Sequence, residues 1–392
     1  MSQSMNRATL RTKFGQPSWR ISNATVEAFV TQTGGQVGPI TFRLGRETIQ
    51  PYAVAPWAEE RPLKSLPWML KVLRGDFFCL PFGGNSTPFR GELHPPHGET
   101  ANNPWRCECL TESTAHLSLQ TKTRAGRVDK YVSLADNHTA VYQRHIISGM
   151  KGPMNLGHHA MVRFPEVPGS GNISTSRFLR GEVAPRPLED PALGGYSCLK
   201  SGAGFRSLRK VPRLDGGWTD LTTYPSRRGY EDLVMLVSDP GLPFAWTAVT
   251  FPKQGYVWFA LKDPRVLRQT IFWFSNGGRH YPPWNGRHVN VLGLEEVTSY
   301  FHYGLAESAA KNSLARLGFP TCHRLARRTP LVVNYIMAVA PVPKGFDCVA
   351  RVTPANGGRA VKLSSRNGRS MLTTVDLDFL SSDRKGRLGN QE

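Results

Sequence analysis

Polar and apolar residues alternate singly along much of this chain, the period of strands with one buried face. Ala24-Thr-Val-Glu-Ala-Phe-Val-Thr alternates, breaks at Gly34-Gly35 and resumes at Ile40-Thr-Phe-Arg-Leu, the pattern of a hairpin. From Ala115 to Phe164 the alternation is sustained. His116-Leu-Ser-Leu-Gln-Thr-Lys-Thr turns at Ala125-Gly126, and Val128-Asp-Lys-Tyr-Val-Ser-Leu turns at Asp136-Asn137. Val141-Tyr-Gln-Arg-His-Ile-Ile-Ser turns near Gly152-Pro153, and Met154 to Phe164 follows, which makes an antiparallel meander. Further strands are predicted at Leu233–Val237, Ala245–Thr250, Gly255–Lys262, Gln269–Phe274, Leu331–Ala340 and Met371–Phe379. One helix is predicted near His302–Leu317, where Ala306, Ala309, Ala310, Leu314 and Leu317 keep helical spacing and Gly318 and Pro320 close it. Regular turns between short strands predict an all-β chain, a large antiparallel sandwich rather than alternating β/α units.

Residues 1–18 and 381–392 are polar and aperiodic, so they read as flexible ends, with residues 19–380 as a single domain. Of the 392 residues, 40% are hydrophobic and 20% charged, a globular composition that argues against disorder. No apolar run approaches the roughly 18 residues of a membrane span. The N-terminal stretch has no apolar core, so no secretory signal is expected and the location is expected to be cytoplasmic. Six cysteines do not make a disulfide scaffold in a chain of this length. Cys107 and Cys109 lack a second pair or a suitably spaced histidine, so no metal and no cofactor is expected. The net charge of +20 is spread over scattered Lys and Arg without a basic arm or a nucleic-acid-binding signature. It reads as a solvated basic surface, with no membrane and no specific nucleic-acid partner expected.

Three stretches carry candidate chemistry. The first is His94-Pro-Pro-His97-Gly98-Glu99-Thr100-Ala101-Asn102-Asn103-Pro104-Trp105, preceded by Arg74-Gly75-Asp76-Phe77-Phe78-Cys79-Leu80-Pro81-Phe82-Gly83-Gly84. Histidines, a glutamate, amides and an indole held by prolines and glycines suit a pyranose, which has one apolar face and a rim of hydroxyls. The second is Met154-Asn-Leu-Gly-His-His-Ala-Met-Val-Arg-Phe164. As a strand it puts Met154, Leu156, His158, Ala160, Val162 and Phe164 on an apolar face, with His158 at its edge, and Asn155, His159, Met161 and Arg163 on the other. His159 is therefore the better chemical candidate. The third runs from Trp273 through Arg279, His280, Trp284 and His288 to Gly293-Leu294-Glu295-Glu296. Trp273 and Trp284 offer aromatic platforms, and a semi-buried Glu295 would have a raised pKa suited to a base. There is no nucleophile elbow, dinucleotide loop or Walker loop. Histidine plus glutamate beside aromatic platforms suits reversible proton transfer on a sugar.

At these residues the chain resembles the aldose 1-epimerase (galactose mutarotase) superfamily, most of all its hexose-6-phosphate mutarotase branch. Arg74–Gly83 resembles R-G-G-I-P-x-C-x-P-x-F-G, and His97–Trp105 keeps the His-Gly, Asn and Trp spacing of H-G-F-A-R-N-x-x-W. Gly157–Val162 resembles G-x-H-P-Y-F, and Gly293–Glu296 resembles G-x-E-P. The resemblance spans roughly residues 21–340 in order. It implies a β-supersandwich with a small-molecule sugar on the concave face of one sheet, in a monomer or homodimer. It implies Glu295 as base, His159 as acid and His97 as a hydrogen-bonding neighbour of the ring. Arg74, Asp232, Glu99, Asn102, Trp105, Trp273, Trp284 and His158 are the expected sugar contacts. The chain departs from the branch at Ala101, where a phosphate-binding arginine is usual, and at Glu99, which adds a negative charge. The alternatives are a non-catalytic carbohydrate-binding protein on the same fold and an anion- or nucleic-acid-binding basic protein.

Overall fold

The structure is a computed structural model, and it describes residues 9–381 except 62, 191, 193 and 194. The expected flexible segments at 1–8 and 382–392 lie outside the described residues. Within the expected N-terminal tail the outcome differs. Arg11–Lys13 is a strand that pairs with Gln16–Ser22, because Arg74 ties this hairpin down through the carbonyls of Lys13 and Phe14.

Among the described residues two large antiparallel sheets face each other. The nine-stranded sheet contains three strands of the predicted meander, Thr114–Thr121, Gly126–Ser133 and Ala140–Ser148, together with Ala245–Phe251, Tyr256–Lys262 and Leu331–Pro341. The fourth predicted strand, Met154–Phe164, leaves it: buried on both parities, it breaks into short pieces, of which Leu156–His158 and Ala160–Arg163 pair with Val291–Thr298 in the other sheet. The eight-stranded sheet is built around Tyr230–Ser238, Gln269–Asn276, Val291–Thr298, Leu156–His158 and Ala160–Arg163. Its strands are buried on both faces, so they read as near-continuous apolar runs rather than clean alternation. The inner faces meet in one core that includes Phe78, Val234, Phe272, Leu294, Trp258 and Tyr335.

Outside this sandwich each sheet has a cover. Phe346, Val349, Val361 and Leu363, from the Val349–Ala355 and Ala360–Ser365 strands and the loop before them, pack over Trp246, Phe259 and Ile336 of the nine-stranded sheet. The predicted Met371–Phe379 strand is shorter, Ser370–Thr374, and gives way to a 3-10 turn at Leu377–Leu380. On the other side Trp57, Met69, Leu73, Phe77, Phe82, Phe301 and Leu314 lie over the outer face of the eight-stranded sheet. The predicted helix is here, as two short pieces, Leu305–Ala309 and Ser313–Arg316. Ala310 is extended between them, and the Asn312 side chain caps the second by accepting from Ala315 N. No helix among the described residues is long and apolar enough to cross a membrane.

Candidate active site

Strand register decides which carboxylates face this covered side. Ile271 pairs with Glu295, Trp273 with Gly293, and Ser275 with Glu231, so all six share the outer face of the eight-stranded sheet. Glu296, one residue on, points into the sandwich, where Lys262 and the hydroxyls of Thr247 and Thr270 hold it. Gly293 leaves room for the carboxylate, since a Cβ would stand 2.7 Å from Glu295 Oε1 and 3.0 Å from Trp273 Cβ.

Around Glu295 stand three imidazoles. His159 sits between two short strands, its amide donating to Phe77 O and its ring stacked on Phe77 at 4.6 Å. Its Nε2 lies 3.3 Å from Glu295 Oε1, while His302 Nε2 lies 2.5 Å from Oε2. His97 completes the group, with ring centroids 5.2 Å from His159 and 5.9 Å from His302. Its Nδ1 is 3.2 Å from Cys79 Sγ. The His97-Gly98 pair is fixed sterically. Gly98 has φ +76, and a Cβ there would lie 2.0 Å from Leu80 O, so only glycine brings the loop this close.

One wall of the cleft is aromatic. Arg279 lies over Trp273 and Trp284 at 5.1 and 4.3 Å from their ring centroids. It pairs with Glu189 and lies 4.0 Å from Glu231. Glu231 also accepts from Trp273 Nε1 at 2.8 Å and Ser275 Oγ at 2.9 Å. Pro67, Met69, Leu70 and Leu73 roof the cleft, leaving a cavity of about 180 Å³.

Burial sets the proton affinities. Loss of solvation pushes Glu295 up to about 7, against the pull of His159 and Arg279. Burial likewise raises Glu231 to about 7, although Arg279 opposes it. It depresses the histidines: His302 falls to about 3, with Arg279 adding to the effect, and His97 is also lowered. His159 is lowered by burial too, with Glu295 partly restoring it.

The structure brings together His97, His159, Glu295, Trp273 and Trp284. Six other expected contacts lie elsewhere, each for a local reason. Arg74 is fully buried and spends its guanidinium on the carbonyls of Val72, Lys13 and Phe14. Asp232 has the opposite parity to Glu231, so it faces inward and accepts from the amides of Cys198 and Leu199. Glu99 accepts from the amides of Lys122 and Thr123, so it pins a turn and adds no charge to the cleft. Asn102 donates to Pro96 O and Gly98 O, which shapes the His97 loop from behind. Trp105 donates to Thr100 O and packs in the inter-sheet core. His158 points into that core and bonds Asp76 Oδ2 at 2.9 Å.

Sequence reasoning missed Glu231, although its parity with Trp273 and Ser275 would have selected it over Asp232. Arg279 stood in the quoted loop without a role. His302 carried no signal, because it lies in the turn assigned to the start of a helix.

No family model matches the chain, and no curated protein sequence is similar to it. Solved structures are similar in fold. A provisionally assigned aldose 1-epimerase from Escherichia coli K12 aligns over 83% of this chain and 99% of its own, at 14% identity and TM-score 0.55. A galactose mutarotase related enzyme from Lactobacillus acidophilus aligns over the same shares, 83% and 99%, at 12% identity and TM-score 0.55. A galactose mutarotase-like protein from Lactobacillus casei aligns over 82% and 100%, at 11% identity and TM-score 0.50. The chain thus has the galactose mutarotase-like fold, an all-β supersandwich.

Proposed function

We propose that this chain is a carbohydrate-active, mutarotase-like protein that interconverts the anomers of a neutral aldose. The observation that carries the proposal is the convergence of His97 and His159 on a buried glutamate, Glu295, whose proton affinity lies near neutrality. Burial opposes both the Glu295 carboxylate and the His159 imidazolium, so the pair titrates as a unit that can hold one proton between them.

With that proton on His159, Glu295 takes the proton of the anomeric hydroxyl. The O–H electron pair becomes the carbonyl π bond, the bond from the anomeric carbon to the ring oxygen breaks, and the ring oxygen takes the proton from His159. Rotation about the bond next to the aldehyde and the reverse transfers close the ring on the other face. Trp273 and Trp284, covered by Arg279, line the apolar wall beside the sugar, and His97 supplies a hydrogen bond to its rim. Arg279 is already paired with Glu189 and stands beside Glu231, which favours hydroxyl contacts over a phosphate.

Polarimetry on freshly dissolved aldoses tests this reading. Glu295→Gln should slow anomer exchange by about 10²- to 10⁴-fold, the usual worth of a positioned acid–base group. A variant as fast as the native protein would remove Glu295 from the reaction. One observation favours binding without catalysis: His302 already occupies the second oxygen of Glu295. That reading expects saturable sugar binding with no acceleration.

A further inference from the structure

The cleft gathers more carboxyl groups than cations. Glu189, Glu231 and Glu295 are 8%, 1% and 0% exposed, and Arg279 is the cation that pairs with this group among the described residues. Four imidazoles, His97, His159, His288 and His302, stand around them. Three buried carboxyl groups share one guanidinium, so any further one that ionises gains from a second cation. Neutral imidazole is also the form that ligates metals.

The geometry matches the charge. His159 Nε2 faces one oxygen of Glu295 and His302 Nε2 faces the other, at 3.3 and 2.5 Å. One ligand atom from each of the three residues lies within 4.8 Å of the others. Ligands of a tetrahedral zinc, at bond lengths of about 2.0–2.1 Å, stand about 3.4 Å apart. A small outward turn of His302, whose side chain is 18% exposed at the cleft, therefore makes room for an ion. Glu295 Oε1 is buried without a hydrogen-bond partner, so it is an available acceptor.

We propose that His159, Glu295 and His302 form a binding site for a divalent transition-metal ion of the zinc class. Two imidazoles and a carboxylate suit Zn²⁺ or Co²⁺ rather than Mg²⁺ or Ca²⁺, and three protein ligands leave a coordination position open to the cleft. A bound ion takes the lone pairs that the acid–base reaction needs, so ion and proton compete for the same groups. The site shares residues with the proposed mutarotation but does not require it.

The full chain, stripped with a chelator, can be titrated with Zn²⁺ by calorimetry and with Co²⁺ by visible absorption. A Cys107→Ser/Cys109→Ser background removes the accessible C-x-C thiols as a competing site. One equivalent should bind in that background. Affinity should fall more than about 100-fold in Glu295→Gln and His302→Ala, since a direct ligand outweighs an outer-shell partner. His302→Gln serves if the alanine variant loses its native circular dichroism. No binding at micromolar ion in that background, or binding untouched by all three substitutions, overturns the proposal. Polarimetry on the same preparations is a separate readout: a protein that binds the ion without accelerating anomer exchange upholds the metal site and removes only the mutarotase reading.

Discussion

His158 and His159 are adjacent, both buried, and separated by strand parity alone, so exchanging each for leucine tests the face assignment directly. His158→Leu removes the ring that meets Asp76 Oδ2 at 2.9 Å, with both side chains 0% exposed. Burial raises the Asp76 pKa, and His158, Lys130 and Gln143 together bring it back below the ordinary carboxylate value, so the anion depends on them. Burial holds His158 toward its neutral form, so the contact is a hydrogen bond to a buried carboxylate, and losing it costs about 1.5–3 kcal/mol. That is a large part of the roughly 5–15 kcal/mol by which folded proteins are stable. His159→Leu removes a ring whose Nδ1 has no partner and whose Nε2 meets only Glu295. Leucine keeps the apolar contact with Phe77, and Glu295 can stay protonated, so the loss should be no more than about 1 kcal/mol. Anomer exchange should change in the opposite order, falling about 10²- to 10⁴-fold in His159→Leu. Urea unfolding followed by tryptophan fluorescence, with polarimetry on the folded variants, measures both quantities. If His159→Leu loses as much stability as His158→Leu, or if a stable His158→Leu loses activity, the assignment of the two faces is wrong.

Arg74→Met should lower the unfolding midpoint by breaking three bonds to backbone carbonyls, yet leave the sugar concentration dependence of the folded protein unchanged. Gly98→Ala should destabilise by more than the roughly 1–2 kcal/mol of a left-handed non-glycine residue, because its Cβ meets Leu80 O at 2.0 Å. The displaced His97 should show as a shifted imidazole resonance in any folded fraction. Stability should also fall steeply toward acid. His97, His145, His288, His302 and His323 refuse protons that the unfolded chain takes up below about pH 6.5, so their contribution is lost as the pH falls. Glu231 and Glu295 act in the opposite sense: they keep protons up to about 7 that the unfolded chain releases above its ordinary value of 4.5. His138, His158 and His159 are lowered too, so the histidines outnumber the two glutamates and the net loss of stability runs toward acid between those limits. Urea midpoints that stay flat from pH 6.5 to 4.5, the ordinary values of the two residue types, would contradict the burial of these histidines.

Alternation and turn chemistry are local, so the sequence by itself determined the all-β class, the three meander strands from Ala115 to Ser148, and the parity that separates His159 from His158, but not that Met154–Phe164 crosses to the other sheet. Gly98 was also legible as punctuation of a functional loop, although not the Leu80 oxygen that excludes a Cβ there. Tertiary structure decided what the polar side chains meet. Arg74, Glu99, Asn102, Trp105 and Asp232 are residue types suited to a sugar, but backbone groups distant in sequence, such as Lys13 O, the Lys122 amide and the Leu199 amide, or nearer in the loop, claimed them first. A buried polar group goes to whichever partner the fold brings within reach, and that partner is not written at any fixed spacing. The same holds for His302 and Arg279. Their place beside Glu295 and Glu231 comes from loops that fold over the outer face of a sheet, so the charge balance of the cleft became visible only in three dimensions.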